Sequence, residues 1–468
     1  MQPSAIVERG CRAIEVLIEA GDRYGGLFPS MLDLKTHDML MEMPPAIPGQ
    51  RNTDRAPRGA NLIHDEAVLK TMVALDRPGF QDAADRYLRR FATHCTDTVS
   101  GLFPWGEHAF WDLVEDRPGN GYAVNNPDSP QGLTHDHLRA APLWLWEKLY
   151  AFNPRCVERF GEGLDNHWSC RDPLEYIRHG YIDRIEPWLS KSSSCDFPRH
   201  SGFFMFDWAF GFTKTGREDF LGQIQKMLDY WWEKRRDDGL LWSESRTTPG
   251  VHLDGVVAVG QTLFLAASLL EAATLLEGSR PALAAEMRHR ASVYIEGFLN
   301  IPHDPDRGIF LYGFRPGTNL SEWASVIWGS VYGSSPVSYV ALTCLCVYRM
   351  TSDARLLDWA AAAGTRYVDE PFPGDVAVPA MDAGMGLGLL ADLYDITGED
   401  RWLDGGLCRA EELVSIYFGD CDLPRGAAGI SWYESQMGPS FLLHGLARLA
   451  LLADGPERCP LGADYTGR

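Results

Sequence analysis

Histidines and arginines in this chain recur beside an aromatic ring and a carboxylate. Trp105, Glu107 and His108 share one stretch, Asn166, His167 and Trp168 a second, and Arg199 and His200 a third. Trp242, Glu244 and Arg246 form a fourth, with His252 soon after; Tyr312 with Arg315 and Trp432 with Tyr433 and Glu434 complete the series. Such cations could neutralise a substrate carboxylate. That charge is the obstacle to removing the neighbouring carbon-bound proton, so its neutralisation opens a route to β-elimination. A tyrosine or histidine can then act as base, and a hydroxyl or imidazolium can protonate the departing oxygen. Hydrolysis of a glycosidic bond would instead need two facing carboxyls. Glu107, Asp165, Asp207, Glu244, Asp254, Asp382 and Glu434 are the candidates for it. Epimerisation of a sugar by paired imidazoles would draw on His108, His200, His252 and His444.

These stretches are spaced by a repeat. Turn signals such as "TKTGRED" at Gly216, "RMTSDAR" near Ser352 and "DITGEDRW" at Gly398 each follow an apolar helix and precede an amphipathic one. A second series, including "GLFPWGEHAFWD", "GLLWSESR", "GIFLYGFR" and "GISWYES", leads back from the amphipathic helix to the next apolar one. The spacing predicts six to seven helical hairpins, with apolar members beginning near Asn61, His135, His200, Asp254, Ser335, Asp382 and Gln436. Helices apolar nearly all round, such as "LFLAASLLEAATLL", belong inside a shell of amphipathic ones. The expected fold is all-α, an α/α toroid in one domain over residues 1–455, with 456–468 as a tail. In that fold the short turns lie at one end, and every chemically rich stretch converges on the other. Inner-helix N-termini point their positive ends at this mouth, which favours an anion.

Arg199 and His200, directly after Pro198, then face a central funnel, either as anion ligands or as a loop cation and a helix cap. Arg51, Arg55 and Arg58 reach the same mouth, free to grip carboxylates or paired with Asp54 and Asp65. Trp105, Trp111, Trp168, Trp242 and Trp432 could stack on sugar faces or anchor loops.

Composition narrows the class. Of 468 residues, 45% are hydrophobic and 11% aromatic, ample for a large core. A net charge of −21 argues against nucleic acid, because phosphate binding needs a basic face. The charged N-terminal stretch does not read as a signal peptide, and no window is read as membrane-spanning. The ten scattered cysteines read as buried free thiols. Together these lead us to expect a cytoplasmic protein without a cofactor. His135, Asp136 and His137 could hold zinc only if extended, so no metal is expected. No phosphate loop, nucleotide fingerprint or Gly-x-Ser-x-Gly elbow occurs.

Three stretches, "GLFPWGEHAFWD", "DFPRHSGFFMFDWAFGFTKTG" and "VGQTLFLAASLLEAA", resemble the α/α-toroid carbohydrate-active enzymes. The likeness is greatest to bacterial glucuronan and alginate lyases of polysaccharide lyase family 38, over about residues 20 to 450. The layout is also similar to toroid β-glucuronidases and unsaturated-uronide hydrolases. The lyase resemblance implies that Asn166 and His200 hold the uronate carboxylate, with Arg246 beside the base. The tyrosine of that pattern is missing after Arg246, where "SRTTPGVHLDG" offers His252, so His252 or Tyr312 would serve. Expected catalytic residues are therefore Asn166, His200, Arg246, His252 and Tyr312. Substrate would meet Trp105, Glu107, His108, His167, Arg199, Asp207, Trp242, Glu244, Tyr433 and Glu434. The expected activity is β-elimination on uronate-containing oligosaccharides. Hydrolysis of uronides is the alternative, epimerisation a more distant one, and a glycan-binding toroid without chemistry the non-enzymatic one.

Overall fold

The computed structural model describes residues 2–122, 133–135, 139–187, 196–246, 253–329, 337–455, 457 and 459–468. Among these, fourteen helices alternate between two shells. The outer helices are α1 (Pro3–Asp22), α3 (Phe80–Arg90), α5 (Pro154–Gly163), α7 (Glu218–Trp232), α9 (Pro281–Leu299), α11 (Ala354–Asp369) and α13 (Asp400–Tyr417). The inner ones are α2 (Leu62–Leu75), α4 (Leu143–Phe152), α6 (Pro198–Thr215), α8 (Val259–Leu276), α10 (Val337–Thr351), α12 (Ala380–Thr397) and α14 (Pro439–Asp454).

The inner helices close a ring. Helix α6 packs on α8, α8 on α10, α10 on α12, α12 on α14 and α14 on α2. Two indole hydrogen bonds bridge the remaining seams. Trp144 Nε1 donates to Glu66 Oε1 at 2.7 Å between α4 and α2, and Trp146 Nε1 donates to Asp207 Oδ1 at 2.8 Å between α4 and α6. At the α12–α14 contact the backbones nearly touch, and a Cβ on Gly384 would lie 2.2 Å from the Leu442 nitrogen. Only glycine permits that approach.

Local sequence explains each element. Pro198 opens α6, where its missing N–H costs nothing, and Gly216 ends it at φ 71° with its N–H on the Phe212 carbonyl. Gly398 ends α12 in the same way. Outer helix α7 buries Phe220, Ile224, Met227, Leu228 and Trp231 on one face, whereas α8 is buried almost all round. Helix α8 is also long and apolar enough to cross a membrane, contrary to the expectation from sequence. It is an inner wall of the ring, with 83% of that stretch buried.

Short strands occupy the segments that carry the chain from outer to inner helices. Strand β1 (Met31–Asp33) pairs antiparallel with β9 (Trp432–Glu434), joining the first and last hairpins. Strands β2 (Gly59–Ala60), β3 (Ala109–Asp112) and β4 (Arg117–Asn120) form a small sheet. Strand β5 (Thr134–His135) pairs with β8 (Gly180–Tyr181), and β6 (Trp168–Arg171) with β7 (Leu174–Tyr176). The β5–β8 pairing holds His135 extended, so α4 starts at Leu143 after Pro142, several residues later than expected. Likewise Val257 bridges Trp242 and Phe314, which delays α8 to Val259. Residues 461–468, within the stretch expected as a tail, pack against the inner helices: Leu461, Asp464, Thr466 and Arg468 are all buried.

Candidate active site

A cavity of about 700 Å³ opens where inner helices begin. Its size suits a small-molecule ligand. Five inner elements contribute at their N-terminal ends: Arg139 just before α4, Arg199 in the first turn of α6, Gln261 of α8, Tyr339 of α10 and Asp382 of α12. Loops add Arg51, Asp54 and Glu107 on one side and Tyr312, Glu322 and Trp323 on the other.

Charges on the loop side are mutually committed. Arg51 grips Asp54 at 2.6 Å and Glu107 at 2.7 Å. The other Asp54 oxygen lies 3.3 Å from His108 Nδ1, and the His108 ring stacks on His179 at 5.3 Å. Burial opposes ionisation of Asp54, but His108 and Arg51 outweigh it and hold the carboxyl below the usual range.

Across the cavity Asp382 behaves oppositely. It is 3% exposed, and burial pushes its carboxyl up to about 7, although the Tyr339 hydroxyl donates to it at 3.1 Å. A carboxyl still protonated near neutrality can give a proton. Arg199 faces the same space, and its buried Nε has no hydrogen-bond partner among the described residues. A guanidinium left in that condition is suited to an anionic ligand.

Of the residues expected from sequence, Arg51, Glu107, Arg199, Tyr312 and Asp382 line this cavity. His108 stands behind Glu107 and Asp54, 1% exposed. The others lie elsewhere. Trp105 is wholly enclosed by Phe91, Phe103, Trp146 and Phe160, so its ring is core and offers no sugar platform. His167 is buried against Phe204, with Nδ1 on the Ile177 carbonyl and Nε2 3.2 Å from His135 Nε2. Asn166 belongs to the same 3-10 turn, away from the cavity lining. His200 is fully buried between Phe197 and Phe203, one helix position from Arg199 and facing another way. Asp207 seals the α4–α6 seam. Arg246 pairs with Glu175 at 2.5 Å on β7. Trp242 lies under Arg236 beside Val257, and Glu244 is buried outside the lining. Tyr433 is buried in β9, and Glu434 is locked by Arg55 through two hydrogen bonds of 2.8 and 2.7 Å. His252, Asp136 and His137 lie outside the described residues.

Arg139, Gln261, Tyr339, Glu322 and Trp323 were not anticipated. Tyr339 and Gln261 fall inside helices read as uniformly apolar; one polar residue in the first turn of each such helix was the available signal. Arg139 follows the His135–His137 stretch that drew attention as a metal candidate.

No family model matches the sequence, and no curated protein matches it. Solved structures do resemble it. A D-mannose isomerase superposes with a TM-score of 0.50 at 10% identity, covering 81% of this chain and 99% of that one. A sugar epimerase from a ruminal bacterium gives 0.48 at 11%, covering 97% and 99%. An unsaturated glucuronyl hydrolase specific for heparin gives 0.43 at 11%, covering 83% and 98%. The fold is an α/α toroid. At such identities the likeness reaches no further than the fold.

Proposed function

We propose that this protein is an enzyme of carbohydrate degradation that cleaves uronate-containing oligosaccharides by β-elimination. One observation carries the reading: Arg199, on the first turn of an inner helix, presents a guanidinium to the cavity with a buried Nε that no described protein group satisfies. A uronate carboxylate fits that fork bidentately, aided by the positive end of α6. Binding there withdraws charge from the carboxylate, which acidifies the proton at C5. Tyr312, packed on Gly260 and Phe264 of α8 and lining the same cavity, is the candidate base. Asp382, with its carboxyl at about 7 and Tyr339 bonded to it, is the candidate donor to the departing oxygen. Trp323 offers a ring for a neighbouring sugar. The same neutral-range carboxyl favours hydrolysis as a second reading, with Asp382 as acid and Glu107 or Asp54 as the opposing carboxylate. Paired-histidine epimerisation has less support, because no histidine lines the cavity among the described residues.

A panel of glucuronate, mannuronate and galacturonate oligosaccharides, followed by ultraviolet absorbance and product mass, tests the reading. Elimination creates a conjugated double bond and a fragment lighter by one water than the hydrolytic fragment. Products that have gained water would replace the lyase with a hydrolase. Turnover of neutral sugars alone would defeat both.

A further inference from the structure

Residues 461–468 occupy the middle of the ring, tied to one inner helix after another. The Leu461 and Gly462 carbonyls accept from Arg448 and His444 of α14, at 3.1 Å each. Lys70 of α2 donates to the Ala463 carbonyl at 2.7 Å. The Tyr465 hydroxyl donates to Asp392 of α12 at 2.6 Å and accepts from Arg349 of α10 at 2.9 Å. Arg468 pairs with Glu271 of α8, and its Nη1 lies 3.8 Å from Cys346 Sγ of α10. The segment thus spans the ring from α2 and α14 across to α8 and α10.

This segment separates two spaces. Gly467 lines the large cavity, whereas Tyr465, Thr466 and Arg468 line a second one of about 310 Å³ together with Lys70, Phe206 and Glu271. Gly467 also lies flat on the wall, because a Cβ there would come within 2.4 Å of the Met385 methyl. Its backbone therefore forms the cavity surface at that point.

We infer that residues 461–468 are a built floor that turns the central channel of the toroid into a blind pocket, and so dictate attack at a chain end. A polymer cannot thread a ring closed from below. A terminus entering from the mouth is what fills such a blind pocket, and each turnover releases a short piece from it. The floor stands on contacts within the chain, and its consequence for uronides rests on the function proposed above.

Two readouts separate these parts. Cys346, under Arg468, reports on the floor without any substrate. In the native protein its alkylation, located by peptide mass mapping, should be at least about tenfold slower than in Arg468→Ala or Glu271→Gln. Circular dichroism and a cooperative melt show whether each variant is folded. Equal labelling of Cys346 in the native protein and in either folded variant overturns the floor. On uronate oligosaccharides the native enzyme should release one short product from the first time points while long chains shorten gradually. A spread of internal fragments at early times overturns chain-end attack, whatever the labelling shows. If no uronide is cleaved, the proposed function fails, and Cys346 labelling alone still decides whether the floor exists.

Discussion

Replacing Asp382 by asparagine separates the proton this side chain carries from the shape it fills. Asparagine keeps the volume and an oxygen for the Tyr339 hydroxyl but cannot ionise. In the native fold the carboxyl is moved from 3.8 to about 7, chiefly by burial. At about 1.4 kcal/mol per pH unit, that displacement is worth about 4 kcal/mol of preference for the neutral form. The sign follows from linkage. A carboxyl with a raised folded pKa binds its proton more tightly in the folded state, so stability is complete below about pH 4 and falls as pH rises through about 7. Urea denaturation of both proteins from pH 4 to pH 9 should therefore give curves that diverge. Asp382→Asn should gain on the native protein from about pH 4 and level off above about pH 7, by up to about 4 kcal/mol. Activity should move in the opposite direction. Loss of a general acid costs about 10²–10⁴ in turnover, and the decline of native activity above about pH 7 should vanish from whatever activity remains. Parallel stability curves would show that Asp382 is not held neutral by its surroundings, and the proton-donor role would fall with them. A divergence in stability with unchanged turnover would keep the electrostatics and remove Asp382 from the chemistry.

Arg199→Ala should lower kcat/KM on uronides by about 10- to 100-fold, the worth of a charge-assisted hydrogen bond of about 1.5–3 kcal/mol, with little change in Tm. Arg199→Lys should recover only part, since an ammonium lacks the planar fork, and full activity in Arg199→Ala would remove the anion site. Glu434→Gln should act on stability instead: it leaves the fully buried Arg55 without its counter-charge, a loss of about 3–5 kcal/mol by denaturation. An unchanged Tm with a raised KM would return Glu434 to the substrate.

Much of the architecture was written in local pattern. Runs such as "LFLAASLLEAATLL" are apolar round the whole helix and can only be stable inside a second shell. The Thr-Gly turns at Gly216 and Gly398 have left-handed backbone that suits glycine, and both close inner helices as expected. Helix starts were read less well, because Pro142 and the cross-strand pairings of His135 and Val257 set them, and pairing partners lie far along the chain.

The site divides along the same line. Sequence alone pointed Arg51, Glu107, Arg199, Tyr312 and Asp382 to one mouth, since each lies either between an outer helix and the next inner one or in the first turn of an inner helix. It could not determine which way each side chain points. Arg199 and His200 are consecutive, yet successive helix positions turn by about 100°, so one meets the cavity and the other the core. Trp105 and Glu434 have the types a sugar site needs, but the rings of Phe103 and Trp146 and the charge of Arg55 had claimed them. Gly467 carries no chemical signal at all. Only the passage of residues 461–468 through the ring brings it beneath the cavity, because that contact depends on how seven hairpins close and not on any neighbour in the chain.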